Sequence, residues 1–211
     1  MTDLSKLSDA ILNGEEELAV ELTKEALNES VQPGELISRW MIPAMDEVGR
    51  RFEAQDFFFP EMLLAGRAMK AALDVIRPLL SASGVPPAGR VAIGTVKGDL
   101  HDIGKNMVAS MLEGAGFEVI DLGIDTKVEK FVEAVKNTHP NILAISALLT
   151  TTMPEMAKII EALKQSGLRA QAKVIVGGAP VTQAFADSIG ADGYGESAAS
   201  AVTLVRSLLS R

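Results

Sequence analysis

The sequence has no cysteine, only two histidines (His101 and His139), one tryptophan and one tyrosine in 211 residues. Without cysteine there is no disulfide, no iron–sulfur cluster and no thiolate zinc site, and the composition fits a reducing compartment. Two histidines are too few for a multi-histidine zinc centre built from one chain. No apolar run reaches the roughly 18 residues of a membrane span, and the polar start lacks the pattern of a secretory signal. The expectation is a soluble, cytoplasmic protein that needs no membrane. Positive charge is scarce as well. The formal net charge is −8, and it is unevenly placed. Through Ser83 there are 8 Lys and Arg against 15 Asp and Glu, a balance of −7; from Gly84 onward the count is 12 against 13, a balance of −1. An acidic first half cannot neutralise phosphates, which argues against nucleic acid as a partner. It reads either as a solvated helical surface or as a docking face for a basic partner.

The charge step coincides with a change of rhythm. Residues 1–83 read as helices only. Asp3 or Thr2 caps a short helix carrying Leu4, Leu7 and Ile11, closed by Asn13-Gly14. Glu15 to Ser30 follows, with Leu18, Leu22 and Ala26 on one face and acids at its start, where the helix dipole favours them. Pro33 suits the first turn of a third helix that Pro43 kinks or splits. Pro60 opens a fourth, with Met62, Met69, Leu73, Ile76 and Leu80 at the spacing of a bundle seam. Ser83 to Gly89 then reads as a linker, residues 84–89 forming its body.

From residue 90 to 211 strands alternate with helices. Strands are expected at Arg90–Val96, Phe117–Leu122, Asn141–Ser146, Lys173–Val176 and Asp192–Tyr194. Helices are expected at about Asp102–Gly114, Lys127–Asn137, Met153–Gln165 and Ala198–Leu209. Such alternation implies right-handed crossovers and an α/β, doubly wound, five-stranded parallel sheet of flavodoxin/Rossmann type. Ligands of such sheets sit beyond the carboxyl ends of the strands, at the switch point.

The segment that carries chemistry is Gly98-Asp99-Leu100-His101-Asp102-Ile103-Gly104-Lys105-Asn106, directly after the first strand. His101 stands at the predicted crevice. Asp99, two residues earlier, can reach whichever ring nitrogen His101 does not give to a ligand, the carboxylate–histidine–metal arrangement. Gly98 permits a tight turn, and Gly104 leaves the first helical turn bare for a flat ligand. A lone loop histidine also has an ordinary structural reading, as does Gly177-Gly178 taken as a turn into a helix capped near Thr182. His139 precedes Pro140 at the opposite end of the sheet and receives no role.

The Asp-x-His-x-x-Gly pattern at 99, 101 and 104 resembles the signature of cobalamin-binding domains that hold the corrinoid with its own base displaced and a protein histidine on cobalt. Ser146-Ala147-Leu148 matches the family's Ser-x-Leu element at the end of the third strand, and Gly177-Gly178 its glycine pair at the end of the fourth. The pairing with a helical bundle resembles the cobalamin module of methionine synthase and the corrinoid proteins of anaerobic methyltransferase systems. The stretches Ser146–Met153 and Gly177–Gln183 look most like the methylamine and methanol branch. The resemblance implies His101 as the lower ligand to cobalt and Asp99 as its hydrogen-bond partner, with Thr152 standing where the methionine synthase module has a relay serine. It implies a cofactor site formed by Gly98, Asp99, His101, Asp102, Ile103, Gly104, Ser146, Leu148, Thr150, Gly177 and Gly178, with Ser146, Leu148 and the glycines around the slot for the displaced tail.

Phe52, Phe57, Phe58 and Phe59 crowd just before Pro60. They either fill the bundle core and the gap to the second domain or, as the resemblance implies, supply a cap over the upper corrin face, with Phe58 and Met62 assigned to it. The implied activity is methyl carriage: cob(I)alamin accepts a methyl group from a substrate-specific methyltransferase. Methylcob(III)alamin then gives it to a second methyltransferase serving a thiol or tetrahydrofolate acceptor, and a reductive activation protein maintains the cobalt. The helical cap would move aside to admit each enzyme. The chain is too short to hold a substrate barrel and an acceptor barrel of about 250 residues each, so it reads as a carrier subunit. Two rivals share the motif: the cobalamin subunit of an adenosylcobalamin-dependent mutase, and a cobalamin-sensing regulator. The helical half disfavours the first and the lack of a basic recognition helix the second.

Overall fold

Asp3 starts the first helix as expected: its carboxylate accepts the Ser5 N–H (3.2 Å) at the head of α1 (Leu4–Leu12), which buries Leu7, Ala10 and Ile11. The computed structural model to which these helices belong describes residues 3–83 and 87–210. Thr2, the Leu80 side chain and Gly84, Val85 and Pro86 of the expected linker lie outside the described residues. The chain divides into two compact units, Met1–Ala88 with Ser110–Phe117, and Gly89–Ala109 with Glu118–Arg211.

In the first unit, α2 (Glu16–Asn28) buries Ala19, Leu22, Thr23 and Ala26, and leaves Leu18 39 % exposed. The expected Leu18–Leu22–Ala26 face is therefore rotated. Small side chains at 19, 23 and 26 let α2 approach its neighbour closely, and the buried Thr23 hydroxyl is satisfied by donating to Ala19 O (2.7 Å). Pro33 opens α3 (Pro33–Leu36), which runs through a π-helical turn (Ile37–Met41) into α4 (Ile42–Glu53). The break expected at Pro43 takes this form because proline has no N–H and its ring crowds the carbonyl four residues back. The wider turn, with Ile42 N–H donating to Ile37 O, admits the ring without stopping the chain. The last helix of the region, α5 (Phe59–Ser83), buries Met62, Ala65, Ala68, Met69, Ala72, Leu73 and Ile76.

The phenylalanine cluster does not fill the core. Phe52 and Phe57 are half-buried and Phe58 and Phe59 exposed, because they occupy the α4 end and the turn into α5. Arg51 lies over the Phe57 ring at 5.2 Å, and Phe58 N–H donates to Glu61 Oε2 (3.0 Å) as α5 begins. Methionines and alanines pack the bundle instead.

In the second unit the strands are β1 (Arg90–Thr95), β2 (Glu118–Asp121), β3 (Ile142–Ser146), β4 (Lys173–Gly177) and β5 (Gly193–Gly195). All pair in parallel, in the order β2-β1-β3-β4-β5. The crossovers are α6 (Ile103–Gly114), whose residues from Ser110 onward count with the first unit, α7 (Val128–Thr138), α8 (Pro154–Gln165) and α9 (Gln183–Ile189), and α10 (Ala198–Leu209) closes the chain. Strands β1, β3 and β4 read as apolar runs because helices cover both faces of the sheet. β5 begins one residue later than expected. Asp192 instead ties the strand ends together, its carboxylate accepting the Val174 N–H (2.7 Å) and Arg169 Nη2 (2.7 Å). The register aligns Thr95, Ser146, Gly177 and Gly195 in one row across the carboxyl ends of β1, β3, β4 and β5. The chain reverses its winding direction between β1 and β3, so the crevice opens beside that row. Among the described residues no helix is long and apolar enough to cross a membrane.

Candidate functional site

The loop after β1 is pinned at several points. Gly98, at φ +81°, turns the chain in a conformation disfavoured for side-chain-bearing residues, and its N–H donates to Asp125 Oδ1 (2.7 Å). Asp125 N–H returns a bond to Asp99 O (3.0 Å), and the buried Thr95 hydroxyl donates to His101 O (3.0 Å). This lacing leaves the Asp99 side chain pointing inward and the His101 ring half in solvent: Asp99 is fully buried and the His101 side chain 50 % exposed.

Asp99 gathers five donors. Its Oδ1 lies 2.7 Å from His101 Nδ1 and accepts the His101 N–H (3.1 Å). Its Oδ2 accepts the N–H groups of Leu148 (2.7 Å) and Leu149 (3.3 Å) and lies 2.9 Å from the buried Thr152 hydroxyl. Burial works to raise the carboxyl, but the bonds from Leu148, His101 and Thr152 outweigh it and hold it at about 2. A carboxylate only accepts, so His101 Nδ1 is the donor in this contact, and Nε2 is the ring nitrogen left for a ligand. Nε2 has no partner among the described residues. The Thr152 hydroxyl is also 2.9 Å from Leu149 O, and its single hydrogen serves one acceptor at a time.

Around the ring the surface is apolar. Leu100 and Ile103 are 69 % and 64 % exposed, and Ile124, Leu148 and Leu149 are exposed too. These five are the exposed large apolar side chains of the second unit among the described residues, and all follow the carboxyl ends of β1, β2 or β3. A concentration of this kind marks a ligand or partner surface. At Gly104 a Cβ would meet no atom within 4 Å, so the protein itself gives no packing reason for a bare position there. A half-exposed imidazole tied through Nδ1 to a buried carboxylate, in a loop that exposes Leu100 and Ile103, fits a single protein ligand to a metal held by a flat macrocycle. Among the described residues no three His, Cys, Asp or Glu side chains group to hold a metal by themselves.

The other expected site residues are distributed as follows. Asp102 is exposed and accepts from Asn106 Nδ2 (3.3 Å); Thr150 is exposed; Ser146 is half-buried, its carbonyl accepting the Val96 N–H (3.0 Å). Gly177 and Gly178 are half-buried at the end of β4, where a Cβ at Gly177 would lie 2.9 Å from Gly195 O. Phe58 and Met62 belong to the first unit, Phe58 exposed and Met62 buried. Sequence reasoning did not single out Leu149, Asp125, or the ion pair of Lys105 with Asp121 (2.6 Å). Lys105 stands inside the motif segment, and its place one residue after Gly104 was the available signal.

The family model described as B12 binding domain matches residues 89–203, and a second model with the same description matches residues 4–77. Trimethylamine corrinoid protein 1 of Methanosarcina acetivorans is 49 % identical over 208 residues, covering 98 % of this chain and 96 % of that protein. The dimethylamine corrinoid protein of Methanosarcina barkeri is 43 % identical over 208 residues, with coverage of 98 % of this chain and 97 % of that protein. Among solved structures, the methanol:cobalamin methyltransferase complex MtaBC from Methanosarcina barkeri contains a chain matched at a TM-score of 0.85 and 30 % identity, covering 97 % of this chain and 78 % of that one. With its Asp99–His101 pair at the switch point of the matched sheet, the chain belongs to the B12-binding family.

Proposed function

We propose that this chain is the corrinoid methyl carrier of a methyltransferase system. The observation that carries the reading is the buried Asp99 carboxylate 2.7 Å from the Nδ1 of a half-exposed His101, which leaves Nε2 as the nitrogen that would hold the cobalt. A corrinoid held here would supply a cobalt centre able to accept and release a methyl group. The protein's residues hold and orient it. Asp99 fixes the ring tautomer, and Thr152 adds a hydroxyl to the same carboxylate. Leu100, Ile103 and Leu148 offer apolar surface to the macrocycle, and Gly104 leaves its approach open. Ser146, Thr150, Gly177 and Gly178 lie on the side where the displaced tail enters.

The partners in this reading are a substrate-specific methyltransferase and a second methyltransferase that passes the group to a thiol or tetrahydrofolate acceptor. A reductive activation protein restores cobalt(I), and the system works in the cytoplasm. The likeness to methylamine corrinoid proteins over 98 % of the chain supports a methylated amine as donor, and the likeness to a chain of a methanol:cobalamin methyltransferase complex supports a methyltransferase partner. The test is spectroscopic. Reconstituted with methylcobalamin at neutral pH, the native chain gives a histidine-ligated spectrum and His101→Ala gives a water-ligated one. Identical spectra would refute the ligand assignment.

A further inference from the structure

The peptide group joining Ala147 and Leu148 is held at both edges. Its N–H donates to Asp99 Oδ2 (2.7 Å), and its carbonyl oxygen faces Gly178 so closely that a Cβ there would overlap Ala147 O and lie 2.9 Å from Ala147 C. A trans peptide is planar, with C=O and N–H on opposite edges of one rigid plate. Whatever displaces the oxygen therefore tilts the N–H. Retreat is restricted: Ala147 is fully buried and its own N–H donates to Gly177 O (3.2 Å). Gly178 also sits at φ +127°, where a side chain is strained.

We infer that Gly178 is a positioning residue for the axial ligand, acting through the Ala147–Leu148 peptide on Asp99 and through Asp99 on His101. Room for the corrinoid's tail is then not the only reason for glycine at this position. The same plate that a side chain at 178 would strike supplies the shorter of the two backbone bonds to Asp99 Oδ2, at 2.7 Å against 3.3 Å from Leu149. The inference rests on the proposed ligand role of His101 for its consequence in catalysis, but its first link concerns the protein alone.

Two measurements on Gly178→Ala separate the roles. In the corrinoid-free protein, imidazole nitrogen NMR reads His101 against His139, the only other histidine. The native His101 shows a dominant Nδ1–H tautomer; the variant loses that dominance while His139 is unchanged. Cobinamide, a corrinoid without the nucleotide tail, is then titrated into both proteins. If Gly178 positions the ligand, the variant binds cobinamide roughly 10–100-fold more weakly, the range for losing an outer-shell partner, and its histidine-ligated spectrum fades. If Gly178 only clears the tail slot, the variant keeps the native tautomer and binds cobinamide as the native chain does, and the inference fails. Circular dichroism checks the fold. Should Gly178→Ala not fold, Leu148→Pro removes the N–H donor directly, and a native His101 signal in that variant overturns the inference. A native chain that shows no histidine-ligated spectrum with either corrinoid counts against the proposed function, leaving the tautomer comparison to decide the Gly178 role.

Discussion

The Lys105 ammonium, on a side chain only 2 % exposed, lies 2.6 Å from a carboxylate of Asp121 that is 49 % exposed. The pair joins the first turn of α6 to the end of β2, and Asp121 Oδ1 accepts the Gly123 N–H (2.9 Å) as well. One partner is dry and the other wet, so their removal has unequal costs. Asp121→Ala strands a buried ammonium with Asn106 Oδ1 (2.7 Å) as its remaining acceptor and costs roughly 3 kcal/mol. Lys105→Met leaves a carboxylate that water can solvate and costs about 1 kcal/mol. Urea denaturation of both variants checks the order; equal losses, or a larger loss for Lys105→Met, would contradict it.

Gly104 gives the cleanest separation of stability from binding. Because a Cβ there meets no protein atom within 4 Å, Gly104→Ala changes the stability of the corrinoid-free chain by less than about 1 kcal/mol, the scale of helix propensity alone, and Gly104→Leu is expected to fold as well. The same leucine stands where a flat ligand would approach, so corrinoid affinity falls by more than about tenfold, the equivalent of one lost good contact. Thermal melts without corrinoid and a corrinoid titration test the two halves. Native affinity in the variant would remove the macrocycle from this face.

At the opposite end of the sheet Asp192 links stability to pH. Burial raises its carboxyl, but the Val174 N–H and the Arg169 and Lys173 side chains outweigh that and hold it below the ordinary value. A group with a depressed folded pKa contributes stability above its unfolded value of about 3.9 and loses it as pH falls through the folded one. Asp192→Asn is therefore less stable at neutral pH, and its stability declines less steeply than native below about pH 4. Urea midpoints measured across that range check it, and parallel native and variant curves would refute it.

How much of this is legible in the sequence varies with where the partners come from. The sheet is legible because strands covered on both faces are continuous apolar runs, as Val91 to Ile93 and Ile142 to Ile145 are. His101 and Asp99 are legible because they are neighbours in one loop. The face of α2 is not, since Ala19 and Thr23 carry little hydrophobic signal and their value lies in allowing close approach. Leu149, 50 residues beyond Asp99, contributes a backbone N–H that no side-chain pattern encodes. Pro43 announces an interruption, but whether the chain kinks, stops or widens into a π turn depends on the neighbours it packs against.

Thr95, Ser146, Gly177 and Gly195 form one row, each contributed by a different strand. A slip of one residue in any strand would carry its member about 3.3 Å out of line and turn that strand's side chains to the opposite faces. The site is thus surveyed from the interior of the sheet, and its accuracy is inherited from side chains that no ligand ever touches. Fully buried Ile142 and Val174, at the far ends of β3 and β4, are as much its surveyors as the residues beside the crevice.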